Sequence, residues 1–422
     1  MLNAERNETL TRVGPGTPMG GLLRRYWYPV EISSRLPARD LSKVRLLGED
    51  LVLYRRPDGS LHLLEDRCPH RGTALSYGIV EREGIRCPYH GWMFDGRGNC
   101  LEQPGEPADS TFAERVTARA YAVRELGGLI FAYIGPEPVP TLPRYDLFCW
   151  DDAIRDVGYA RIPCNFMQIM ENGVDLDHVA WLHGRLSQWL ATRGIADEIP
   201  QMFTRKNRTV AFEETDYGIL MRRQLEGQDT GADDWKIGHP LVFPNLLRLG
   251  GGGSYGFHIR VPVDDEHTDV LWYTAYRPGG KPVEPEPVTC YEVPWQTADG
   301  DFLLNNVEGQ DIMAWVTQGP IADRTREHLG TVDRGVIMLR QLFFRQLDRM
   351  LAGEDPVNVF RGPAEVIDLP QEVEKFGQGA SYLHDVLIAT QARFSPRRDE
   401  IVRRYREAGV DLDIKPDLDT ES

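Results

Sequence analysis

The 422-residue chain is short of cysteine, of positive charge and of long apolar runs. Its six cysteines, at 68, 87, 100, 149, 164 and 290, are too scattered for a disulfide framework. They fit a reducing, cytoplasmic setting. Its 48 Lys and Arg are outnumbered by 64 Asp and Glu, for a net charge of −16. So acidic a chain binds polyanions poorly, which argues against nucleic acid and anionic membrane surfaces as partners. The best apolar run, Leu129-Ile130-Phe131-Ala132-Tyr133-Ile134, has strand length, far below the roughly 18 residues of a membrane span. Residues 1–6 lack a basic start leading into an apolar stretch, so no secretory signal is read there. Internal repeats and low-complexity segments are absent from the sequence. What is present is ordinary globular composition, 41% hydrophobic and 27% charged, and length enough for two or three domains.

Residues 1–43 read as an N-terminal arm with a short helix stopping before Pro29. Residues 44–54 and 61–64 read as strands joined at Pro57-Asp58-Gly59, with a further turn at Asp95-Gly96-Arg97-Gly98 and a strand at 129–134. Pro136, Pro138, Pro140 and Pro143 mark a linker over 136–150. Residues 44–135 are therefore expected to form a small all-β domain, and 151–422 a second domain. In the latter, 166–183 reads as a helix with Gly184 at its C-terminal cap. Strand patterns at 208–213, 219–225, 255–263 and 270–276 suggest an antiparallel sheet. Val336, Leu339, Phe343, Leu347 and Met350 recur at helical spacing, closed by Gly353. The fold class is α+β, with an antiparallel sheet flanked by helices. Residues 411–422 form an acidic tail expected to fray.

Two short segments carry metal-ligand residues: Cys68-Pro69-His70-Arg71-Gly72 and Cys87-Pro88-Tyr89-His90-Gly91-Trp92. Each holds one thiol and one imidazole, a Pro after the Cys and a Gly after the His. A zinc finger would pair Cys with Cys on one arm and His with His on the other. Mixed pairs suit a diiron centre in which one iron takes two thiolates and the other two imidazoles, as in a Rieske [2Fe–2S] cluster. Cys68-x-His70 followed by Cys87-x-x-His90 matches the Rieske pattern. Residues 44–135 resemble the Rieske domain of the ring-hydroxylating oxygenases, in which the two Cys hold one iron and the two His the other.

A Rieske domain of this size ends near residue 136, and the rest of the chain needs another role. Glu171-Asn172-Gly173-Val174-Asp175-Leu176-Asp177-His178-Val179-Ala180-Trp181-Leu182-His183 supplies two His five apart. On a regular helix they sit about 140° apart, so convergence on one ion requires a distortion such as a π-bulge. Two His and one carboxylate form the facial site of non-haem Fe(II) oxygenases. The 171–183 text resembles the Glu-Asn-x-x-Asp-x-x-His-x-x-x-Leu-His pattern of the homomeric, phthalate-type Rieske oxygenases. Gln310-Asp311-Ile312-Met313-Ala314-Trp315 resembles their third-ligand region. The resemblance covers nearly the whole chain.

It implies His178, His183 and Asp311 as ligands of a mononuclear Fe(II). It implies Asp175 as the carboxylate linking a cluster His of one subunit to His178 of its neighbour, and hence a homotrimer, single or stacked. Asp175 is placed on the helix face of His178; Asp177 is read as solvated or capping. Asn172 is either a group beside the iron or an ordinary helix hydrogen-bonder.

No Gly-x-Gly-x-x-Gly fingerprint follows a strand. NADH electrons are therefore expected through a separate reductase, with or without a ferredoxin. The implied activity is that of a terminal oxygenase using O₂ on an aromatic acid. Val13-Gly14-Pro15-Gly16-Thr17-Pro18-Met19-Gly20, Arg24-Arg25-Tyr26-Trp27 and Arg45-Leu46-Leu47-Gly48-Glu49-Asp50 resemble phthalate dioxygenase and the lignin-biaryl O-demethylase oxygenases, with a lean to O-demethylation or hydroxylation over cis-dihydroxylation. An electron carrier with an inactive second domain and a zinc-binding interaction protein are the readings from other classes.

Weaker signals remain. Arg222, Arg223, Arg248 and Arg260 could clamp a carboxylate, although surface ion pairing is the ordinary role of each. His239 is read as a satisfied loop His. Cys100, Cys149, Cys164 and Cys290 are read as small buried hydrophobes. Tyr89 and Trp92 are expected to shield the cluster or meet a redox partner.

Overall fold

The computed structural model describes residues 2–195, 201–279, 283, 286–378, 380–412 and 414. A six-stranded antiparallel sheet runs in the order Tyr28–Ile32, Leu129–Tyr133, Ala120–Leu126, Leu61–Glu65, Glu49–Arg55, Leu41–Leu46. The sheet thus begins before residue 44. The strand Tyr28–Ile32, expected within the arm, pairs with Leu129–Tyr133 because its Tyr28 and Ile32 are apolar and buried against the same core. Residues 44–54, expected as one strand, form a hairpin. Leu47 and Gly48 both take positive φ, 49° and 79°, the twist that a tight two-residue turn between antiparallel strands requires. That turn is pinned to the second domain, where Pro262 and Val263 accept from the backbone N–H groups of Leu47 and Gly48.

Four strands of two or three residues, Ile79–Val80, Ile85–Arg86, Met93–Phe94 and Cys100–Glu102, make a small sheet whose first two strands fall between the Cys/His loops and whose last two follow the second. Val52, Tyr54, Leu64, Leu75, Ile85, Trp92 and Phe94 pack with Cys68 and Cys87 into the core beneath those loops. The stretch expected as a linker is ordered. Its Arg144–Tyr145 pairs in parallel with Val366–Ile367, and Asp146 is buried against Arg248 at 3.0 Å.

The second domain is built on an eight-stranded sheet in the order Asn207–Thr215, Gly218–Leu225, His239–Val242, Leu246–Gly251, Ser254–Pro262, Thr268–Tyr276, Ile154–Ile162, Thr289–Glu292. Only the last pair is parallel. Apolar residues cover the sheet, among them the buried Trp272, Tyr273 and Phe257. Helix Arg334–Leu351 lays Val336, Leu339, Phe343 and Leu347 into the core, each side chain contributing about 1.5–3 kcal/mol by leaving water. One apolar cluster runs through both domains. Among the described residues no helix is long and apolar enough to cross a membrane. Within the expected tail, Leu412 and Ile414 are buried against helix Arg398–Glu407 and its neighbours; the rest of 413–422 lies outside the described residues.

Candidate active site and cluster loops

The two Cys/His loops are built alike. The Cys68 N–H donates to the Thr73 carbonyl and the Gly72 N–H to the Cys68 carbonyl. In the second loop the Cys87 N–H donates to Trp92 and the Gly91 N–H to Cys87. Gly72 and Gly91, each four residues after its Cys, sit at φ 77° and 73°, a conformation that only glycine adopts without strain. Both thiols are buried, whereas His70 and His90 are exposed with their rings 4.6 Å apart. Trp92 is buried and stacks on His70 at 4.4 Å; Tyr89 is exposed beside His90. Burial, with Cys87 alongside, pushes the Cys68 thiol up to about 11. A thiol this reluctant to ionise becomes a thiolate against a metal cation. Two convergent sulfurs inside and two imidazoles outside fit a cluster with chemically different irons.

The stretch expected as one helix over 166–183 is broken. An α-helix covers Phe166–Asn172, residues 173–178 link, and a π-helix covers Val179–Leu186, followed by α-helix Ser187–Ala191. The wider π winding brings residues five apart toward one face, and the His178 and His183 rings approach to 5.2 Å. Gly184 lies inside that winding and is not a cap. A Cβ there would stand 2.3 Å from the Phe203 carbonyl oxygen.

Asp311 comes from helix Val307–Val316, whose start is capped by the Asn306 side chain accepting from the Gly309 N–H at 2.8 Å. Gln168 fixes this helix to Phe166–Asn172, donating to the carbonyls of Trp315 and Gly319 and accepting from the Ala322 N–H. As a result Asp311 Oδ1 lies 3.3 Å from His183 Nε2 and 3.7 Å from His178 Nε2. One ligand atom from each of the three falls within 4.8 Å of the others. The Asn172 amide donates to Asp311 Oδ1 at 3.3 Å.

The partners of the two imidazoles differ. The Gln310 amide nitrogen is committed to donating to Ser187 Oγ and the Leu304 carbonyl, so its Oε1 accepts from His183 Nδ1 at 2.9 Å. That assigns the proton to Nδ1 and leaves Nε2 as the lone-pair nitrogen. Among the described residues the buried His178 Nδ1 has no hydrogen-bond partner, and Asp175 Oδ2 stands 3.9 Å away. Asp175 is therefore not on a shared helix face. It sits in the link, where its Oδ1 accepts from the N–H groups of Asp177 and His178, while Asp177 accepts from Asn207. Burial pulls Asp311 upward, but His183, His178 and Asn172 outweigh it and hold the carboxylate below its usual range. An anionic carboxylate and two imidazole nitrogens are the donor set of a divalent iron site with open positions.

These residues open on a cavity of about 160 Å³. Its walls combine Leu247, Leu249, Val270 and Trp272 with polar groups. Surface ion pairing, the role expected of the four arginines, holds only for Arg222, which pairs with Glu213. Arg223, Arg248 and Arg260 are buried. Arg223 pairs with Asp234 at 3.4 Å and Arg248 with Asp146. Arg260, 2% exposed, lines the cavity and has no carboxylate ion pair among the described residues. Its Nη1 donates to the His258 carbonyl, and among the described residues its Nε has no partner. Burial lowers Arg260 to about 10, still cationic at neutral pH. His239 is a buried strand residue, 3.3 Å from Lys375 Nζ; Lys375 in turn is matched by Glu372. Cys100 and Cys164 are buried, Cys149 and Cys290 partly so.

Gln310 and Gln168 are given no role by the sequence reading, and Gly184 only that of a helix cap. Gln310 alone carried a signal, as the neighbour of Asp311. Glu171, read only as part of a motif, is buried and held by Arg324 and Arg340 at 2.8 and 2.6 Å.

A domain with paired Cys/His loops, joined to one with a two-His, one-carboxylate site beneath a cavity, defines a two-centre iron oxygenase. Residues 26–121 match the Rieske [2Fe-2S] domain family, and 296–372 the LigXa C-terminal domain like family. The chain is 40% identical to the 5,5'-dehydrodivanillate O-demethylase oxygenase subunit of a Sphingobium species, over 88% of this chain and 87% of that one. It is 33% identical to the phthalate 4,5-dioxygenase oxygenase subunit of Pseudomonas putida, over 85% and 89%. The terminal oxygenase of carbazole 1,9a-dioxygenase from a Novosphingobium species shares the fold, with a TM-score of 0.56 at 23% identity over 80% and 97% of the two chains. The chain belongs to the Rieske aromatic oxygenases and is an oxygenase component.

Proposed function

We propose that this oxygenase acts on an aromatic carboxylic acid, by O-demethylation or hydroxylation. The observation that carries the acid is Arg260, a buried guanidinium in the cavity wall with an unpartnered Nε and no carboxylate ion pair. A cation kept from water is stabilised by an anion brought into the site, and the guanidinium fork suits a planar carboxylate. Trp272, Leu247, Leu249 and Val270 give the ring an apolar wall. The lean to demethylation is supported by the 40% identical relative, an O-demethylase oxygenase subunit.

In this reading Cys68, His70, Cys87 and His90 hold the [2Fe–2S] cluster, and His178, His183 and Asp311 hold a mononuclear Fe(II). When bound, that iron supplies O₂ activation. The chain's own residues prepare the site. Gln310 holds the proton on His183 Nδ1, Asn172 orients Asp311, and Asp175 faces His178 Nδ1. Asp175 serves as the bridge between His178 and a cluster His of a neighbouring subunit in a homotrimer; the exposure of His70 and His90 supports it. NADH supplies the electrons through a separate reductase, with or without a ferredoxin.

The test is a single turnover of chemically reduced holoenzyme with O₂, using paired methoxylated and unmethoxylated aromatic acids. Formaldehyde with loss of a methyl group is the expected result. A product heavier by two oxygens and two hydrogens, without formaldehyde, makes it a cis-dihydroxylating enzyme of the phthalate type. Turnover of neutral aromatics alone overturns the acid reading.

A further inference from the structure

Glu308 is a buried carboxyl that the reading above does not use. It lies one turn before Asp311 on helix Val307–Val316, is 2% exposed, and lines the same cavity. Among the described residues its buried Oε2 has no hydrogen-bond partner and its carboxyl makes no ion pair. The charged and titratable groups around it are Asp311 on its own helix, Arg393 and, from strand Thr289–Glu292, Tyr291. Arg393 donates to the Asn305 carbonyl and does not neutralise it. Burial, together with Asp311, raises the Glu308 carboxyl well above its usual range. A buried polar group without a partner is disfavoured unless something brought into the site satisfies it.

Resting on the aromatic-acid reading, we propose that Glu308 is a specificity-determining residue that donates a hydrogen bond to an oxygen substituent of the ring held by Arg260. The ring oxygen belongs to a methoxyl or hydroxyl group. Arg260 and Glu308 then divide recognition, the guanidinium taking the carboxylate and the carboxyl group taking the ring oxygen. An aromatic acid without an acceptor oxygen leaves the Glu308 donor unsatisfied and is discriminated against.

The experiment measures dissociation constants on anaerobic holoenzyme for aromatic acids that differ only in a methoxyl group. The partner acid carries an ethyl group in place of the methoxyl, so apolar burial is matched; a methoxyl oxygen accepts but cannot donate, and its gain over ethyl reports a protein donor. Wild type is expected to favour the methoxylated acid. Glu308→Gln, which keeps an N–H donor, retains that preference. Glu308→Met loses it, weakening the methoxylated acid about 10–100-fold while leaving its partner unchanged. Iron content and melting temperature confirm that each variant is folded and loaded. Equal weakening of both acids, or an unchanged preference in Glu308→Met, overturns the proposal.

Arg260→Met separates this from the parent reading. If it abolishes binding of both acids while Glu308→Met leaves the preference intact, the acid reading stands and the Glu308 proposal falls. If Arg260→Met leaves both acids bound while Glu308→Met removes the preference, the reverse holds.

Discussion

Gln310 Oε1 accepts a hydrogen bond from His183 Nδ1 at 2.9 Å, and this contact decides which nitrogen of His183 faces Asp311. Gln310 cannot offer its amide nitrogen instead, because Ser187 and Leu304 hold it. Replacing Gln310 by Leu removes the acceptor and frees the ring to rotate and to change tautomer. Groups in this supporting position typically contribute about 10–100-fold in metal affinity. Gln310→Leu is expected to weaken Fe(II) binding at the mononuclear site to that extent, lowering its iron content, while the cluster's visible absorbance is unchanged. Iron counted against acid-labile sulfide checks it.

Asp175 divides its two oxygens between two tasks. Oδ1 caps the link by accepting from Asp177 and His178, and Oδ2 stands 3.9 Å from His178 Nδ1. Asn can keep the first task but brings no negative charge to the second. Asp175→Asn is therefore expected to retain both metal centres and the melting temperature. Electron transfer from the reduced cluster should slow at least about tenfold, read by stopped-flow reoxidation in the presence of substrate and O₂. Near-normal turnover removes Asp175 from the bridging role.

Glu171 tests how the first helix of the site is held. Its carboxylate receives Arg324 on both oxygens and Arg340 on one. Glu171→Gln leaves two buried cations partly unmatched, which costs about 3–5 kcal/mol. The pH dependence has a definite sign. Burial raises the Glu171 carboxyl, but the two arginines outweigh it and hold its folded-state pKa below the usual 4.5. The stabilisation is fully present above the unfolded value and is lost as pH falls through the folded one. Urea unfolding of wild type and Glu171→Gln should differ most near neutrality and converge in acid.

How far the sequence reaches follows from distance along the chain. The Cys/His loops, the two His and the turn residues are local patterns, readable because each motif spans a few residues. The need for a π-type distortion was also readable, since two His five apart cannot converge on a regular helix. The break at 173–178 was not, because the apolar pattern runs on through Val174 and Leu176, both buried in the structure. Arg223, Arg248 and Arg260 looked like surface residues, since burial is set by strands and loops far away in sequence. Arg248 meets Asp146 across 102 positions. The cavity wall is scattered in the same way, from Asn172 to Gln391, so no spacing rule could collect it. The hairpin at Leu47 was hidden because a leucine stood where glycine or asparagine would have marked the turn.

Gly184→Ala probes the π-helix itself. The added methyl would meet the Phe203 carbonyl oxygen at 2.3 Å and the Phe203 carbonyl carbon at 2.7 Å. These are backbone atoms, so the clash is relieved only by moving segment 203–204 or by rewinding 179–186. Rewinding to an α-helix would swing His183 away from His178 by the angle that the π winding removes. The expected result is loss of mononuclear iron with the Rieske spectrum retained, in a protein destabilised by about 1–3 kcal/mol. Full iron occupancy with unchanged stability would mean that Phe203 yields and the winding does not depend on glycine.

Independence of the two centres follows from where their residues lie. Cys68 and Cys87 pack into a core with Val52, Tyr54, Leu64, Leu75, Ile85, Trp92 and Phe94, none of which belongs to the second domain. His178, His183 and Asp311 are held by Gln310, Asn172 and Gln168, none of which belongs to the first. His178→Ala should therefore remove the mononuclear iron and leave the cluster's absorbance and reduction potential unchanged. Cys68→Ala should abolish that absorbance while leaving a site that still binds Fe(II). If the proposed homotrimer holds, the two variants mixed as separate proteins are expected to have no activity, because each assembly lacks one centre throughout. Co-expressed, they are expected to form mixed trimers in which an intact cluster can lie beside an intact iron site of a neighbour. Recovery of turnover in the co-expressed sample, and not in the mixture, is the result expected if electrons cross between subunits. If both samples stay inactive while mass analysis shows mixed trimers, each chain must use its own cluster and the role of Asp175 lies within one subunit.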